Sequence, residues 1–206
     1  MCLHIILLDF GAMIPWNQPF QRFGEAFARA RAAEPTDPTA MSLATATPSG
    51  APSVRVVLLK GWDERGFVFY TNRTSRKGDE LAANPRAALC IYWPTLGEQV
   101  RVEGAVELVA DADSDAYYHS RARDSQLGAW ASRQSRPLES RQILMDRMQD
   151  LEAEHAGKEI PRPRWWGGYR VVPSAIEFWR SGDFRLHQRE LYTRDGSGWQ
   201  VQLLNP

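Results

Sequence analysis

Residues 41–72 read MSLATATPSGAPSVRVVLLKGWDERGFVFYTN and contain three short runs rich in β-branched and aromatic side chains. The runs cover residues 41–47, 53–60 and 66–71, and the intervening sequences PSGAP and WDERG are typical of turns. Consecutive short strands joined by tight turns pair in antiparallel fashion. The stretch therefore predicts an antiparallel meander.

The chain on either side of this meander adds further strands and a few helices. Helices are predicted at 18–33, 75–83, 111–120 and 138–154, and strands at 87–93, 99–109, 168–172, 175–180, 185–193 and 199–204. From Val100 to Leu108 apolar residues alternate with polar ones, so one face of that strand is expected to be buried. About seven or eight strands with inserted helices predict an α+β domain built on an antiparallel barrel.

Composition and charge limit the partners that the protein can have. The 206 residues are 43% hydrophobic and 24% charged, without repeats or low-complexity runs, which suits one globular domain without an internal linker. The 25 basic residues balance the 25 acidic ones, so no overall field attracts nucleic acid or an anionic membrane surface. Any anion must therefore be bound by local clusters of cations.

The N-terminal segment MCLHIILLDF has neither the basic start nor the cleavage site of a signal peptide, and its apolar run is too short to span a bilayer. We therefore expect a cytoplasmic protein. Residues 19–206 are expected to form one domain, and residues 1–18 an extension that the sequence leaves open as non-native or disordered, with Met13 as an alternative start. Cys2 and Cys90 are expected to remain free thiols. The four histidines lack metal-ligand spacing, so no metal site is predicted.

Two cationic clusters lie within and just after the meander. Arg55 and Lys60 in RVVLLK are five positions apart and should face opposite sides of a strand. Either the strand ends near Lys60 or the two cations serve different partners, although a solvated edge strand explains them equally well. In YTNRTSRKGDEL, a helix begins after Thr74 or Ser75, and its first turn carries two cations beside free N–H groups, a pattern that favours a phosphate site.

Two further clusters lie towards the C-terminus. In FRLHQRELY, an extended strand would place Arg185, His187 and Arg189 on one face, about 7 Å apart, as a site for a planar or phosphorylated anion. Residues 117–135 are rich in hydroxyl, guanidinium and amide groups with few large aliphatic side chains, so this segment is expected to line a site. The sequence has no Walker loop, no GxGxxG and no nucleophile elbow. Phosphorylated aromatic small molecules fit such scattered cations on a barrel.

Seven motifs, in this order, resemble the pyridoxine/pyridoxamine 5′-phosphate oxidase family: RVVLLK, FVFYTN, SRKGDEL, SRARDSQLGAWASRQS, WWGGYRV, IEFW and RLHQR. The resemblance covers residues 19–206. It implies an antiparallel split β-barrel with flanking helices, working as a homodimer with FMN at the subunit interface. It also implies an enzyme of vitamin B6 biosynthesis or salvage. Such an enzyme oxidises pyridoxine or pyridoxamine 5′-phosphate to pyridoxal 5′-phosphate, with dioxygen as acceptor and hydrogen peroxide as product.

The resemblance also implies roles for the residues in the matching motifs. The FMN contacts would be Arg55, Val56, Val57, Leu58, Leu59, Lys60, Tyr70, Thr71, Arg76, Lys77, Gln99, Gln134, Ser135, Trp179 and Arg189. The substrate phosphate would contact Lys60, Tyr117, Arg121 and Ser125, and the pyridine ring would contact Arg185 and His187. The implied chemistry is hydride transfer from the substrate's 4′ carbon to the flavin. Arg185 and His187 are expected to orient the substrate and assist electrostatically, not to act as a general base.

The sequence departs from the family pattern in three places. Gln188 stands where the family often has an acidic residue, Ala122 replaces a common proline, and the Arg-x-x-Tyr element that closes over the substrate in some relatives has no match before Phe20. Three alternatives stay open. They are an FMN oxidase for another substrate, as in phenazine pathways; a flavin- or pyridoxal-phosphate-binding protein without turnover; and a nucleic-acid-binding barrel, against which the zero net charge weighs.

Overall fold

A computed structural model describes residues 14–196 and 198–206, and within these it contains five α-helices and nine β-strands. The helices are α1 (Gln18–Ala33), α2 (Arg76–Ala83), α3 (Asp111–His119), α4 (Arg123–Ala131) and α5 (Arg141–Glu154). The strands are β1 (Ala40–Ala46), β2 (Pro52–Leu58), β3 (Gly61–Asp63), β4 (Gly66–Asn72), β5 (Arg86–Trp93), β6 (Glu98–Leu108), β7 (Trp166–Arg180), β8 (Gln188–Asp195) and β9 (Gly198–Leu203).

The strands form one antiparallel sheet in the order β2-β1-β5-β6-β7-β4-β3, and β8 and β9 extend it beside β7. The 15-residue strand β7 organises the sheet because it pairs with β6 on one side and, in turn, with β4 and β8 on the other. The register shifts between Glu103 and Gly104, where Ser174 is the extra residue of β7. A Cβ atom on Gly104 would lie 2.0 Å from the Val172 carbonyl oxygen, so the close approach of β6 and β7 at this register shift requires glycine. The predicted α+β split barrel with flanking helices is confirmed.

The main core lies between the sheet and α1, whose predicted bounds are confirmed. Phe23 is fully buried on the apolar stripe of this helix and meets the Phe67 ring edge-on at 4.9 Å. Residues at the start of the predicted N-terminal extension, 1–13, lie outside the described residues, as does Cys2. Ile14 pairs with Trp199 of β9, and the Trp16 ring stacks on Trp199 at 5.2 Å.

A second, smaller core corrects the expectation for residues 117–135. This segment contains α4, which was not predicted, and it buries Tyr118 and Leu127 against Ile160 and Trp166. The segment therefore contributes core packing as well as site residues. Two other expectations are wrong: the strands predicted at 168–172 and 175–180 are one continuous strand, and Leu108 is 58% exposed instead of buried.

None of the helices in the described part of the chain is long and apolar enough to cross a membrane. Cys90 is a free, half-buried thiol. Over residues 14–196 and 198–206, no three His, Cys, Asp or Glu side chains lie close enough together to hold a metal ion.

Candidate functional site

The amine of Lys77 is buried at the start of α2, and its hydrogen-bond partners among the described residues are all neutral acceptors. Its Nζ donates to Gln134 Oε1 at 2.8 Å, to Ser75 Oγ at 3.2 Å and to Thr71 Oγ1 at 3.3 Å. We call these four residues the lysine cluster. Burial, together with the positive charge of Arg55, lowers the pKa of Lys77 to about 8. A buried cation without a carboxylate partner is costly, so this cluster is suited to receive an anion.

A buried carboxylate, Glu80, organises the arginines beside the lysine cluster. Burial raises the pKa of this carboxyl, but the hydrogen bonds that it accepts outweigh burial and lower the pKa to about 2. The donors are Ser53, Thr45 and Arg76, whose Nε lies 2.9 Å from Oε1. The Arg55 guanidinium donates to Thr45 Oγ1 at 2.6 Å and lies 3.5 Å from Glu80. Two arginines thus contact this carboxylate, and the lysine beside them adds further positive charge, an excess that a phosphate dianion would neutralise.

The start of α2 offers backbone donors to the same anion. The N-cap residue is Ser75, as expected, but its hydroxyl donates to the Asn72 carbonyl oxygen at 2.7 Å and makes no bond to the helix N–H groups. The first N–H groups of a helix lack partners within the helix and attract phosphate. The phosphate site at this helix start stays a prediction, for which these N–H groups are available donors.

The predicted flavin contacts from Val56 to Leu59 lie on or just after β2, which is the edge strand beside β1. The outer edge of β2 has no strand partner among the described residues, so its backbone N–H and C=O groups are open to a ligand. Val56 is 67% exposed and Leu58 is 38% exposed, whereas Leu59 is buried. The strand ends at Leu58, so Lys60 lies just beyond it, which agrees with the alternative that the strand ends near Lys60.

A second cluster surrounds an open pocket of about 400 Å³ that Lys60, Tyr70 and Tyr117 help to line. The rings of Tyr70 and Tyr117 stack with centroids 4.1 Å apart, and the Trp166 ring lies 5.5 Å from Tyr70 and nearly parallel to it. We call these three rings the aromatic platform. The predicted substrate residue Ser125 is exposed in the first turn of α4.

The guanidinium group of Arg121 lies against this platform without an anionic partner. Its central carbon is 4.7 Å from the centre of the Trp166 ring and 5.8 Å from that of Tyr118. The Nη1 atom is buried and has no hydrogen-bond partner. Burial lowers the pKa of Arg121. The part of the chain that the structure describes thus contains a second, half-buried cation without an ion-pair partner, apart from the lysine cluster.

A third group, Gln99, Trp179 and Arg189, occupies one row across β6, β7 and β8, where Trp179 pairs with both of the others. Gln99 and Trp179 help to line a cavity of about 660 Å³. The Arg189 guanidinium is held by Glu177 at 2.8 Å. The ring of His187 lies 4.7 Å from that of Trp179.

The expectation that Arg185, His187 and Arg189 share the face of one strand is wrong. Residues Asp183–Arg185 form a 3₁₀ turn, and β8 begins only at Gln188. Phe184 and Arg185 have positive φ values of 55° and 66°, so the chain turns sharply before the strand starts. Arg185 therefore reaches its site from a turn. Neither of the two positions with positive φ is a glycine or a proline, so the sequence gave no signal of a turn there.

The predicted site residues fall into two groups at opposite ends of β7. Tyr70 pairs with Gly168 near one end, whereas Gln99 pairs with Trp179 near the other. Eleven residues of extended strand correspond to on the order of 35 Å along β7. One chain therefore does not bring the lysine cluster and the Gln99 row around the same small ligand. Ser135, with a positive φ of 67°, lies beside the lysine cluster through its neighbour Gln134.

The half-closed antiparallel barrel with its flanking helices defines a split-barrel protein. Residues 27–154 match the family model described as pyridoxamine 5′-phosphate oxidase, and residues 166–206 match the one described as the pyridoxine 5′-phosphate oxidase C-terminal dimerisation region. The chain belongs to the pyridoxamine 5′-phosphate oxidase family and is an oxidoreductase.

Named relatives are similar over nearly their whole length. The pyridoxine/pyridoxamine 5′-phosphate oxidase of Anaeromyxobacter dehalogenans is 60% identical, over 91% of this chain and 95% of the relative. The enzyme of the same name from Myxococcus xanthus strain DK1622 is 57% identical, over 94% of each chain. Among solved structures, PhzG from Burkholderia lata, in complex with tetrahydrophenazine-1-carboxylic acid, is 32% identical and has a TM-score of 0.85 over 99% of both chains.

Proposed function

We propose that this chain is a cytoplasmic, FMN-dependent oxidase that converts pyridoxine 5′-phosphate or pyridoxamine 5′-phosphate to pyridoxal 5′-phosphate. Dioxygen is the electron acceptor and hydrogen peroxide the second product. The observation that carries the proposal is that buried Lys77 and half-buried Arg121 lie in two different predicted phosphate sites, and neither has an ion-pair partner among the described residues. Two separate cationic sites suit a reaction between two phosphorylated molecules, the cofactor and the substrate. The names of relatives 57–60% identical support the same reading.

The lysine cluster and the arginines beside it fit the phosphate of FMN. Lys77 and the free N–H groups of α2 would bind the phosphate oxygens, and Arg55 and Arg76 would add charge from either side of Glu80. The open edge of β2, from Val56 onwards, would offer backbone groups to the flavin ring. These residues fit FMN because they offer positive charge, a desolvated amine and free hydrogen-bond donors to its phosphate.

We further propose that FMN lies at the interface of a homodimer. The Gln99, Trp179 and Arg189 row of one protomer would complete the site that the lysine cluster of the other protomer begins. The separation of the two groups along β7 supports this arrangement, and so does the match of residues 166–206 to a dimerisation region. Each dimer would then contain two equivalent flavin sites.

The substrate phosphate would lie against Arg121, with Lys60, Tyr117 and Ser125 around it. When bound, FMN accepts a hydride from the 4′ carbon of the substrate. The Gly182 amide donates to His187 Nδ1 at 3.3 Å, so in the neutral ring the proton is on Nε2, which is left free to donate to a ligand. Arg185 and His187 would orient the pyridine ring from the turn before β8.

The test is to purify the protein, load it with FMN and add pyridoxine 5′-phosphate in air. A yellow protein that forms pyridoxal 5′-phosphate and hydrogen peroxide in equal amounts would support the proposal. A protein that cannot be loaded with FMN would overturn it. A yellow protein that makes no pyridoxal 5′-phosphate from either phosphorylated substrate would leave a flavin-binding protein and remove the substrate assignment.

A second candidate is an FMN oxidase for a phenazine precursor, which the likeness to PhzG favours. The desolvated guanidinium of Arg121 distinguishes the two candidates, because a phosphate dianion pairs with it more strongly than a carboxylate does. Measuring turnover with tetrahydrophenazine-1-carboxylic acid alongside the B6 phosphates decides between them.

A further inference from the structure

Trp166, the first residue of β7, contacts two of the residues that would hold the substrate phosphate, Tyr117 and Arg121. Its ring is nearly parallel to that of Tyr117, with centroids 6.1 Å apart and an interplanar angle of 9°. The Arg121 guanidinium lies over the same indole at 4.7 Å. Trp166 is 5% exposed and belongs to the second core, with Tyr118 and Leu127. It therefore contacts the substrate-side residues from inside the protein.

Among the residues that the structure describes, no polar interaction holds the Arg121 guanidinium in place. The group forms no ion pair among the described residues, and its buried Nη1 has no hydrogen-bond partner. What remains close to it are two aromatic faces, Trp166 and, farther away, Tyr118. A guanidinium over an indole is attracted by the ring electrons, and the attraction is strongest where water is excluded.

The indole itself is fixed by its backbone. The Trp166 carbonyl accepts from Arg162 Nη1 at 2.6 Å, and Arg162 pairs in turn with Asp111 and Asp115 of α3. Helix α3 also carries Tyr117. One arginine thus ties the strand that holds the indole to the helix that holds the tyrosine, which keeps the aromatic platform rigid.

We propose that Trp166 is a positioning residue for substrate binding: its indole holds Arg121 and Tyr117 in the arrangement that receives the substrate phosphate. The inference rests on the proposed function. It adds a residue that touches neither flavin nor substrate and acts through Arg121. A core residue without this role would affect stability, whereas a positioning residue affects the binding of phosphorylated ligands.

The experiment compares Trp166→Leu, which keeps an apolar side chain but removes the aromatic face, with Trp166→Phe, which keeps a smaller face. The matched control is Trp165→Leu, because the neighbouring Trp165 is half-buried against Trp130, and the cation–π contacts of Arg121 among the described residues are with Tyr118 and Trp166 instead. For each FMN-loaded protein, KM and kcat are measured with pyridoxamine 5′-phosphate, and the Kd of pyridoxal 5′-phosphate by equilibrium dialysis. FMN affinity is measured on the apoprotein.

We expect Trp166→Leu to raise KM and the Kd of pyridoxal 5′-phosphate by about 5- to 30-fold, the size of a desolvated cation–π interaction. The kcat and the FMN affinity should stay within about twofold of wild type. Trp166→Phe should raise KM and Kd less than Trp166→Leu does, and Trp165→Leu should leave both constants unchanged. If Trp166→Leu does not fold, a threefold or greater rise in KM for Trp166→Phe would support the positioning role of Trp166.

Unchanged KM and Kd in Trp166→Leu would overturn the inference. Equal losses in ligand binding, kcat and FMN affinity would also overturn it, because they would mark a purely structural role. A wild-type protein that makes no pyridoxal 5′-phosphate would instead refute the proposed function. The dialysis measurement separates these cases, since it tests phosphate-ligand binding without turnover.

Discussion

The pKa of Lys77 makes FMN binding dependent on pH in a way that can be calculated. In the free protein the amine has a pKa of about 8, because burial opposes its charge. A phosphate dianion beside it would raise that pKa. Below pH 8 the amine is already charged, and above pH 8 FMN binding must take up a proton. The Kd for FMN should therefore rise about tenfold per pH unit above 8, and roughly 25-fold between pH 7.5 and 9.5.

The assay is the quenching of FMN fluorescence as apoprotein is added at half-unit steps from pH 7 to 9.5. Lys77→Arg keeps its charge throughout this range, so its Kd should be nearly independent of pH. Lys77→Met should bind FMN more weakly at pH 7 and should also lose the pH dependence. Riboflavin, which lacks the phosphate, is the ligand control and should show no step near pH 8.

Three results would refute this reasoning. A wild-type Kd that changes less than about threefold between pH 7.5 and 9.5 would mean that Lys77 does not meet the phosphate as a titrating amine. A Lys77→Met variant with the same slope as wild type would assign the pH dependence to another group. If the Kd for riboflavin rose with pH as steeply as the Kd for FMN, the pH dependence would not come from the phosphate.

Three further predictions concern the carboxylate, the sheet and the turn. The folded-state pKa of Glu80 is lowered to about 2, so the ionised carboxylate stabilises the fold above the ordinary carboxyl pKa of 4.5, and this stabilisation is lost as the pH falls towards 2. Glu80→Gln should therefore lower the free energy of unfolding, measured in urea at pH 7, by on the order of 2–3 kcal/mol. At pH 3 the difference in unfolding free energy between the variant and wild type should be smaller. Gly104→Ala should lower the unfolding free energy by several kcal/mol, since its Cβ would lie 2.0 Å from the Val172 oxygen, and a thermal melt within about 2 °C of wild type would contradict this. Arg185→Ala should reduce kcat by tenfold or more at saturating substrate with FMN affinity unchanged; wild-type turnover would remove Arg185 from the catalytic group.

Sequence periodicity predicted most of the fold because alternation and turn residues are local signals. The stripe of α1 and the meander from β1 to β4 follow from such signals, although the short strand β3 was not predicted and overlaps the predicted WDERG turn. Helix α4 was missed because its polar residues and Gly128 resemble a loop, and only packing of Leu127 in the second core makes it helical. The break predicted within β7 reflected Pro173, which the sheet accommodates at the register shift.

The candidate site was predictable only in part. Motif resemblance identified Lys77 and Arg121 by position, but their lack of ion-pair partners is a three-dimensional property. The role inferred for Trp166 depends on contacts with residues more than 40 positions away along the chain, which no local pattern encodes. The turn at Arg185 was missed because its positive φ is imposed by the surrounding structure and not by a residue that favours it.

The span of β7 has a genetic consequence. With the lysine cluster towards one end of the strand and the Trp179 row at the other, each flavin site of the proposed dimer takes its two halves from different polypeptides. Lesions in the two halves should therefore complement each other. In a mixed dimer of a Lys77-defective chain and a Trp179-defective chain, one site collects both lesions and the other is intact. Two inactive alleles expressed together would restore one working centre in each mixed dimer.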